Sequence, residues 1–260
     1  MERIESKSNN FLKEVKKLKD KKHRTKSSSF LVEGLRFVKE AIESDFNVEA
    51  LIISDKILDK FYDLGIDSID LENTRVVNVS DEIFTTVCDT ESPQGILAIV
   101  KNKALEISEE NGFYVLADRI QDPGNMGTII RTAHAAGALG VILTKGTVDI
   151  YNEKTLRSTM GSIFKVPIIE DNNLELTKSL RDNGFKLVTS TLETDNNFFD
   201  VNLKDNVIIS VGNEGNGISD ELKGLSDIAV KIPMPGNAES LNAAVAASIM
   251  VYEVVRQNMI

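Results

Sequence analysis

The stretch Phe113-Tyr114-Val115-Leu116, followed by Pro123-Gly124-Asn125-Met126-Gly127 and by the small residues of Thr128 to Ala138, reads as an apolar strand, a loop and a helix. Two later stretches share the arrangement. Val207 to Val211 is a strand entering Gly212-Asn213-Glu214-Gly215-Asn216-Gly217, and Ala229 to Ile232 is a strand entering Pro233-Met234-Pro235-Gly236-Asn237. The last of these leads through Ser240-Leu241-Asn242 into a long helix, Leu241 to Gln257. Further apolar strands (Val141 to Leu143, Val166 to Ile169, Lys186 to Ser190) alternate with helices at Asn152 to Met160 and Leu174 to Asn183. Short, wholly apolar strands between helices predict a mainly parallel sheet covered on both faces. Open sheets of this kind bind ligands beyond the carboxyl ends of their strands, so the three loops are expected to form a site. They bring to it one Arg, one Glu, one Ser and several Asn.

Ahead of this region, Asn10 to Lys22 is expected to be one helix, with Phe11, Val15 and Leu18 at spacings of four and three. A strand at Phe30 to Gly34, a helix at Leu35 to Ser44 and strands at Val48 to Ser54, Thr74 to Val79 and Gln94 to Val100 follow. Lys101 to Gly112 is polar and ends in Glu109-Glu110-Asn111-Gly112, as a linker does. The expected division is a small α/β domain over 1–102, a linker over 103–111 and a larger domain over 112–260.

With 260 residues and 42% hydrophobic content, the chain can bury real cores. No window approaches 18 consecutive apolar residues, and Met1 to Glu5 lacks a signal-peptide pattern, so a soluble cytoplasmic protein without membrane association is expected. Cys88 is the single cysteine and there are two His, which leaves neither a disulfide nor a plausible zinc set; no metal is expected. The net charge of −10 argues against a nucleic-acid partner, but its distribution does not. Residues 1–30 hold ten basic side chains against four acidic ones. A basic tip on an acidic body fits one end that holds phosphates, although a solvated basic helix would look the same.

The first loop invites a phosphate-binding reading, since Gly-rich turns that open helices present backbone N–H groups to anions. Yet the chain has neither Gly-x-Gly-x-x-Gly nor the Gly-Lys-Ser/Thr ending of a P-loop, which disfavours dinucleotides and nucleoside triphosphates. Gly212, Gly215 and Gly217 would let the backbone approach a ligand closely. Ser240 is a suitable N-cap for the final helix. Taken one at a time, these are also ordinary features: a turn, a capped helix, a solvated Arg.

Their combination is more specific. Asp122-Pro123-Gly124-Asn125-Met126-Gly127-Thr128-Ile129-Ile130-Arg131-Thr132-Ala133, then Gly212-Asn213-Glu214-Gly215, then Ile232-Pro233-Met234 with Ser240-Leu241-Asn242-Ala243-Ala244-Val245-Ala246, resemble in order the three motifs of the SpoU (TrmH) family of RNA 2'-O-methyltransferases. Arg157 to Pro167 is similar to the segment between the family's first and second motifs. Arg24 through Phe30 to Gly34, with Ser92-Pro93-Gln94-Gly95, resembles the small substrate-binding domain of the branch acting on ribosomal RNA.

The resemblance implies an α/β catalytic domain of the SPOUT class, its mainly parallel sheet tied in a trefoil knot, preceded by a small α/β RNA-binding domain. It implies S-adenosylmethionine held by Thr189, Ser190, Thr191, Gly212, Asn213, Gly215, Ile232, Met234, Ser240 and Leu241. Arg131 matches the family's essential Arg. An Arg stays protonated, so its expected role is to bind the target phosphate and stabilise the developing alkoxide rather than to act as base. Glu214 would orient Arg131 or Asn125, Asn125 would fix its loop and contact the target nucleotide, and Ser240 and Asn242 would shape the pocket near the ribose. His134 is expected to pack on its helix. Lys16, Lys19, Lys22 and Arg24, with Arg131, are the expected RNA contacts. A homodimer, joined through the small-residue helix from Leu241 to Tyr252, is implied as well. The expected substrate is large-subunit (23S) ribosomal RNA. Transfer RNA, and a noncatalytic RNA-binding or ribosome-assembly factor on the same fold, stay open as alternatives.

Overall fold

The computed structural model describes residues 1–58, 60, 73–108, 111–236 and 238–259. Asn237 of the third loop and Glu109-Glu110 of the expected linker lie outside them. The chain divides into two compact units, residues 1–103 with 151–156, and residues 104–150 with 157–260. A single cut in sequence did not foresee the return of 151–156 to the first unit.

The first unit is built on five strands: β1 (Glu2–Ile4), β2 (Ser29–Glu33), β3 (Val48–Ser54), β4 (Arg75–Val79) and β5 (Ile96–Lys101), in the order β1-β4-β3-β5-β2. Strand β5 runs antiparallel to both β2 and β3, whereas β1 and β3 lie parallel to β4. Helices α1 (Asn10–Lys17), α2 (Lys21–Ser27), α3 (Leu35–Ile42) and α4 (Asp81–Phe84) accompany the sheet. The helix expected over Asn10 to Lys22 is therefore two helices. Asp20 caps the second by accepting from Lys22 N at 2.8 Å, while Arg24 Nη1 donates to the carbonyls of Leu18 (2.8 Å) and Lys19 (2.7 Å). Those two bonds satisfy backbone groups that a broken helix would otherwise leave orphaned. Leu12, Val15 and Leu18 enter a core with Ile52, Val77, Phe84 and Leu97, and Phe11 packs only at its margin.

The second unit carries β6 (Phe113–Asp118), α5 (Pro123–Ala135), β7 (Gly140–Leu143), α6 (Glu153–Thr159), β8 (Ile168–Glu170), α7 (Glu175–Asp182), β9 (Lys186–Ser190), β10 (Val207–Gly212), α8 (Asp220–Lys223), β11 (Ile228–Val230) and α9 (Ala243–Asn258). Helix α6 runs across the division between the units. The sheet order is β11-β9-β10-β6-β7-β8, and every pairing is parallel. Such strands are buried on both faces, which explains why β6 and β10 are apolar almost throughout. From β6 the chain steps to β7 on one side, and β10 later fills the place on the other. That reversal opens a crevice beyond the carboxyl ends of β6 and β10.

One expected loop is not a loop. Pro123-Gly124-Asn125-Met126-Gly127 forms the first turns of the 13-residue helix α5, capped by Asp122, whose Oδ1 accepts from Asn125 N at 2.8 Å. Proline suits the first position of a helix, where its missing N–H costs nothing. Arg131 consequently sits in the third turn, not near the start. Ala133 of α5 and Ala243, Ala244 and Ala247 of α9 are buried, and Thr132 Oγ1 lies 3.2 Å from Ser248 Oγ where the two helices meet. Small residues permit that close approach.

Candidate active site

The crevice is organised from below by Asp118, the fully buried last residue of β6. Its Oδ1 accepts from Thr144 Oγ1 at 2.7 Å and its Oδ2 from Ser219 N at 2.6 Å, so one carboxylate ties together the ends of three segments. Above it, Asn213 shapes the second loop. Its Oδ1 accepts from the backbone N–H of Gly215 (2.9 Å) and Asn216 (3.0 Å), and its Nδ2 donates to the Arg119 carbonyl at 2.9 Å. Paired backbone bonds between Asn213 and Gly217 close the loop on itself. Gly212 is required by this geometry, because a Cβ there would lie 2.3 Å from the Gly217 carbonyl carbon.

The three segments are joined by one chain of side-chain hydrogen bonds. Asn242 Nδ2 donates to Asn125 Oδ1 at 2.8 Å, and Asn125 Nδ2 donates to Glu214 Oε1 at 2.8 Å. Asn242 Oδ1 accepts from Ala244 N (2.9 Å) and Val245 N (3.2 Å). The direction of the chain is fixed at both ends. A carboxylate only accepts and a helix N-terminus only donates, so neither amide can flip without losing a bond. Asn242, not Ser240, is thus the cap of α9; Ser240 stands two residues earlier, exposed.

Beside this chain lies a cavity of about 500 Å3 beyond the ends of β9, β10 and β11. Of the residues expected to hold a cofactor, Ser190, Thr191, Gly212, Asn213, Gly215, Ile232, Met234, Ser240 and Leu241 line it. Thr189 does not. It is 1% exposed and its hydroxyl faces Ser226 Oγ at 2.7 Å, because it precedes the strand end by one residue and points into the core. Glu193, Lys223 and Glu239, absent from the expected set, also line the cavity, and Lys223 Nζ lies 2.9 Å from Glu193 Oε2. That pairing raises the Lys223 pKa above its ordinary value. Glu193 follows the carboxyl end of β9, where a ligand-facing residue is expected, but nothing local in sequence marks it.

Glu214 and Ser240 line the cavity too, whereas Asn125 and Asn242 stand behind Glu214. Arg131 is exposed and makes no hydrogen bond or ion pair among the described residues. Six residues separate it from Asn125 along α5, about 9 Å of helix. Glu214 is bonded to Asn125 and not to Arg131. His134 Nδ1 lies 3.1 Å from the buried Ser162 hydroxyl, which fits packing. Cys88 is buried and its thiol pKa is pushed up by burial.

The expected RNA contacts separate into two groups. Arg24 is buried and its guanidinium is turned inward onto backbone carbonyls, and Lys19 is held by Asp89 at 2.5 Å and the Cys88 carbonyl at 2.6 Å. Arg24 is thereby turned away from solvent, a correction to the sequence expectation, whereas Lys19 stays exposed at its ion pair. The side chains of Lys16 and Lys22, with those of Lys13, Lys21 and Lys26, form no hydrogen bond or ion pair among the described residues. No described group of His, Cys, Asp and Glu could hold a metal, and no described helix is long and apolar enough to cross a membrane.

Fold and site together define an α/β protein with a cavity of about 500 Å3 beyond the carboxyl ends of neighbouring strands of a parallel sheet. Comparison with known proteins gives the class its family. A profile of the SpoU rRNA Methylase family matches residues 112–252, and one of the MRM3-like substrate binding domain matches residues 9–98. The 23S rRNA (guanosine(2553)-2'-O)-methyltransferase RlmP of Bacillus subtilis is 37% identical over 253 residues, 97% of this chain and 98% of its own length. The 23S rRNA (uridine(2479)-2'-O)-methyltransferase of Streptomyces viridochromogenes is 31% identical over 99% of this chain and 93% of its own. Among solved structures, the AdoMet-bound rRNA methyltransferase from Sinorhizobium meliloti superposes with a TM-score of 0.89 at 31% identity, covering 98% of this chain and 97% of that one. The chain belongs to the SpoU (TrmH) family of SPOUT-class, S-adenosylmethionine-dependent RNA 2'-O-methyltransferases.

Proposed function

We propose that this enzyme methylates a ribose 2'-hydroxyl of large-subunit ribosomal RNA. The observation that carries the reading is the hydrogen-bond chain Asn242–Asn125–Glu214, which gathers one side chain from each of three distant segments at the edge of the cavity. A plain structural core would not need three separated polar residues at a solvent-facing crevice. Names of relatives that act on 23S rRNA and match nearly the whole chain support the choice of RNA.

The cavity fits S-adenosylmethionine in size and chemistry. Its volume falls within the range of about 300–1,000 Å3 usual for small-molecule sites. Ile232, Met234 and Leu241 offer apolar surface, Gly212 and Gly215 allow backbone approach, and Glu193, Glu214 and Glu239 suit a cationic ligand. When bound, the cofactor supplies an electrophilic methyl group on a sulfonium. The protein's part is to hold the ribose oxygen in line with it, which supplies much of the rate enhancement. Arg131, a permanent cation, binds the target phosphate and steadies the 2'-oxygen as its proton leaves. Glu214 and Asn242 fix Asn125 so that it meets the target nucleotide without losing orientation.

Residues 1–102 are read as the part that grips RNA, joined by 103–111 to a catalytic part over 112–260. Lys13, Lys16, Lys21, Lys22 and Lys26 supply salt-dependent phosphate contacts. Exposed Val245 and Tyr252 recur on one face of α9 at a spacing of seven, which supports a homodimer joined there. The trefoil threading expected for the β10–β11–α9 segment is part of the same reading, supported by the placement of β9 between β10 and β11.

The test is methyl transfer from labelled S-adenosylmethionine to a 23S rRNA transcript. Arg131→Ala should abolish turnover and Asn125→Ala should lower kcat, both with cofactor affinity retained. Full activity in Arg131→Ala would overturn the assignment.

A further inference from the structure

Among the described residues, Ser28, Arg119, Met160 and Leu174 are the non-glycine residues with positive φ. Ser28 and Met160 follow the last residues of α2 and α6, and Leu174 immediately precedes α7. Left-handed residues are common just past the last turn of a helix, where Ser28 and Met160 stand, and Leu174 stands at a helix start. Arg119, at φ 57°, is different: it is the first residue after β6, four residues before α5 begins. Glycine adopts this conformation without penalty, whereas a side chain is disfavoured there.

The strained backbone is fixed from both sides. Arg119 N donates to Thr144 Oγ1 at 3.0 Å, Thr144 is itself held by Asp118, and the Arg119 carbonyl accepts from Asn213 Nδ2 at 2.9 Å. The second loop, which lines the cavity, therefore locks Arg119 in place. A position that favours glycine instead carries a long cation, whose side chain is about half exposed and leans over Gly146. Its one side-chain partner among the described residues is Glu221, at 2.9 Å and still more exposed. An ion pair between two solvated side chains contributes little and opens readily. A phosphate could replace Glu221 with charge-assisted, bidentate hydrogen bonds. Lys145, exposed and without a hydrogen bond or ion pair among the described residues, adjoins Gly146 on the same rim.

We infer that Arg119 is an RNA-phosphate contact at the rim of the catalytic crevice, held out by a strained backbone and exchanging Glu221 for the RNA on binding. This inference rests on the RNA-methylating reading above and adds a binding residue outside Arg131 and the basic front segment. It places RNA over the β6–β7 side of the sheet end, while the cofactor cavity lies over β9, β10 and β11.

Arg119→Gly separates the contact from the fold, because glycine relaxes the backbone instead of straining it. The full-length variant should keep wild-type Tm and S-adenosylmethionine affinity. Its Kd and KM for a 23S rRNA transcript should rise about tenfold with kcat little changed, and the salt slope of log K should fall by about one. Arg119→Lys should recover most of the affinity, and Glu221→Gln should tighten RNA binding about twofold by removing the competitor. Wild-type affinity and salt slope in Arg119→Gly, on a transcript that the unaltered enzyme methylates, would overturn the role of Arg119 alone. A transcript that the unaltered enzyme neither binds nor methylates would overturn the substrate reading and this contact together.

Discussion

At Gly212 the want of a side chain lets β10 turn into its loop. A methyl group there would overlap the Gly217 backbone, which has no flexible end to yield. Gly212→Ala should therefore weaken S-adenosylmethionine binding by about tenfold or more, about 1.4 kcal/mol, as read by calorimetry; an unchanged affinity would show that the loop does not shape the pocket. The sequence made this glycine and its neighbours conspicuous. It pointed to Ser240 as the helix cap, whereas the cap is Asn242, a residue type that caps equally well two positions on. Asn242 is selected by its bond to Asn125, a residue 117 positions away, and no local pattern records such a contact. Thr189 keeps its side chain out of the cavity, because the alternation along the strand turns its hydroxyl toward Ser226; the contact expected of it is through its backbone.

At the scale of elements, apolar runs located the parallel strands closely because burial on both faces leaves an unmistakable composition. Strand β9 was expected at Lys186 to Ser190 and lies there; α5 was expected to start late, because Pro and Gly read as loop residues even though Asp122-Pro123 is a good cap and first position. Strand β1 escaped notice because its three residues become a strand only by pairing with β4, some seventy positions on. Helix α9 offers a test in pH. Glu253, 7% exposed, accepts from Arg256 Nε (2.8 Å) and Nη2 (2.7 Å) and from Gln257 Nε2 (2.8 Å), and these bonds, Arg256's first, hold its pKa below the ordinary 4.5. A depressed carboxylate stabilises the folded state fully above its unfolded pKa and loses that contribution as pH falls through the folded value. Glu253→Gln should lower Tm at neutral pH, and its difference from wild type should shrink as pH falls below 4.5. A constant difference at every pH would contradict the ionic origin of the stabilisation.

For the whole molecule, an acidic chain carries a front segment rich in Lys and Arg, and the fold sorts those cations by their neighbours. Arg24 is turned inward and Lys19 is tied to Asp89 and the Cys88 carbonyl, whereas the side chains of exposed Lys13, Lys21, Lys22 and Lys26 and of half-buried Lys16 are unpaired among the described residues. Charge counting showed the surplus but could not show which residues spend their charge internally. Replacing these five unpaired lysines by Gln should weaken rRNA binding and flatten its salt dependence, with Tm nearly unchanged; binding that keeps its salt slope would place the phosphate contacts elsewhere. The catalytic layout was more legible than its wiring, because motif residues show themselves in sequence and the bonds among them do not. The most direct test of methyl transfer at this site is to map 2'-O-methyl groups on a 23S rRNA transcript after incubation with the purified protein and S-adenosylmethionine. A new 2'-O-methyl mark at a defined nucleotide, absent with Arg131→Ala, is the predicted result; a transcript left unmodified by cofactor-loaded enzyme, or modified on a base and not on a ribose, would contradict it.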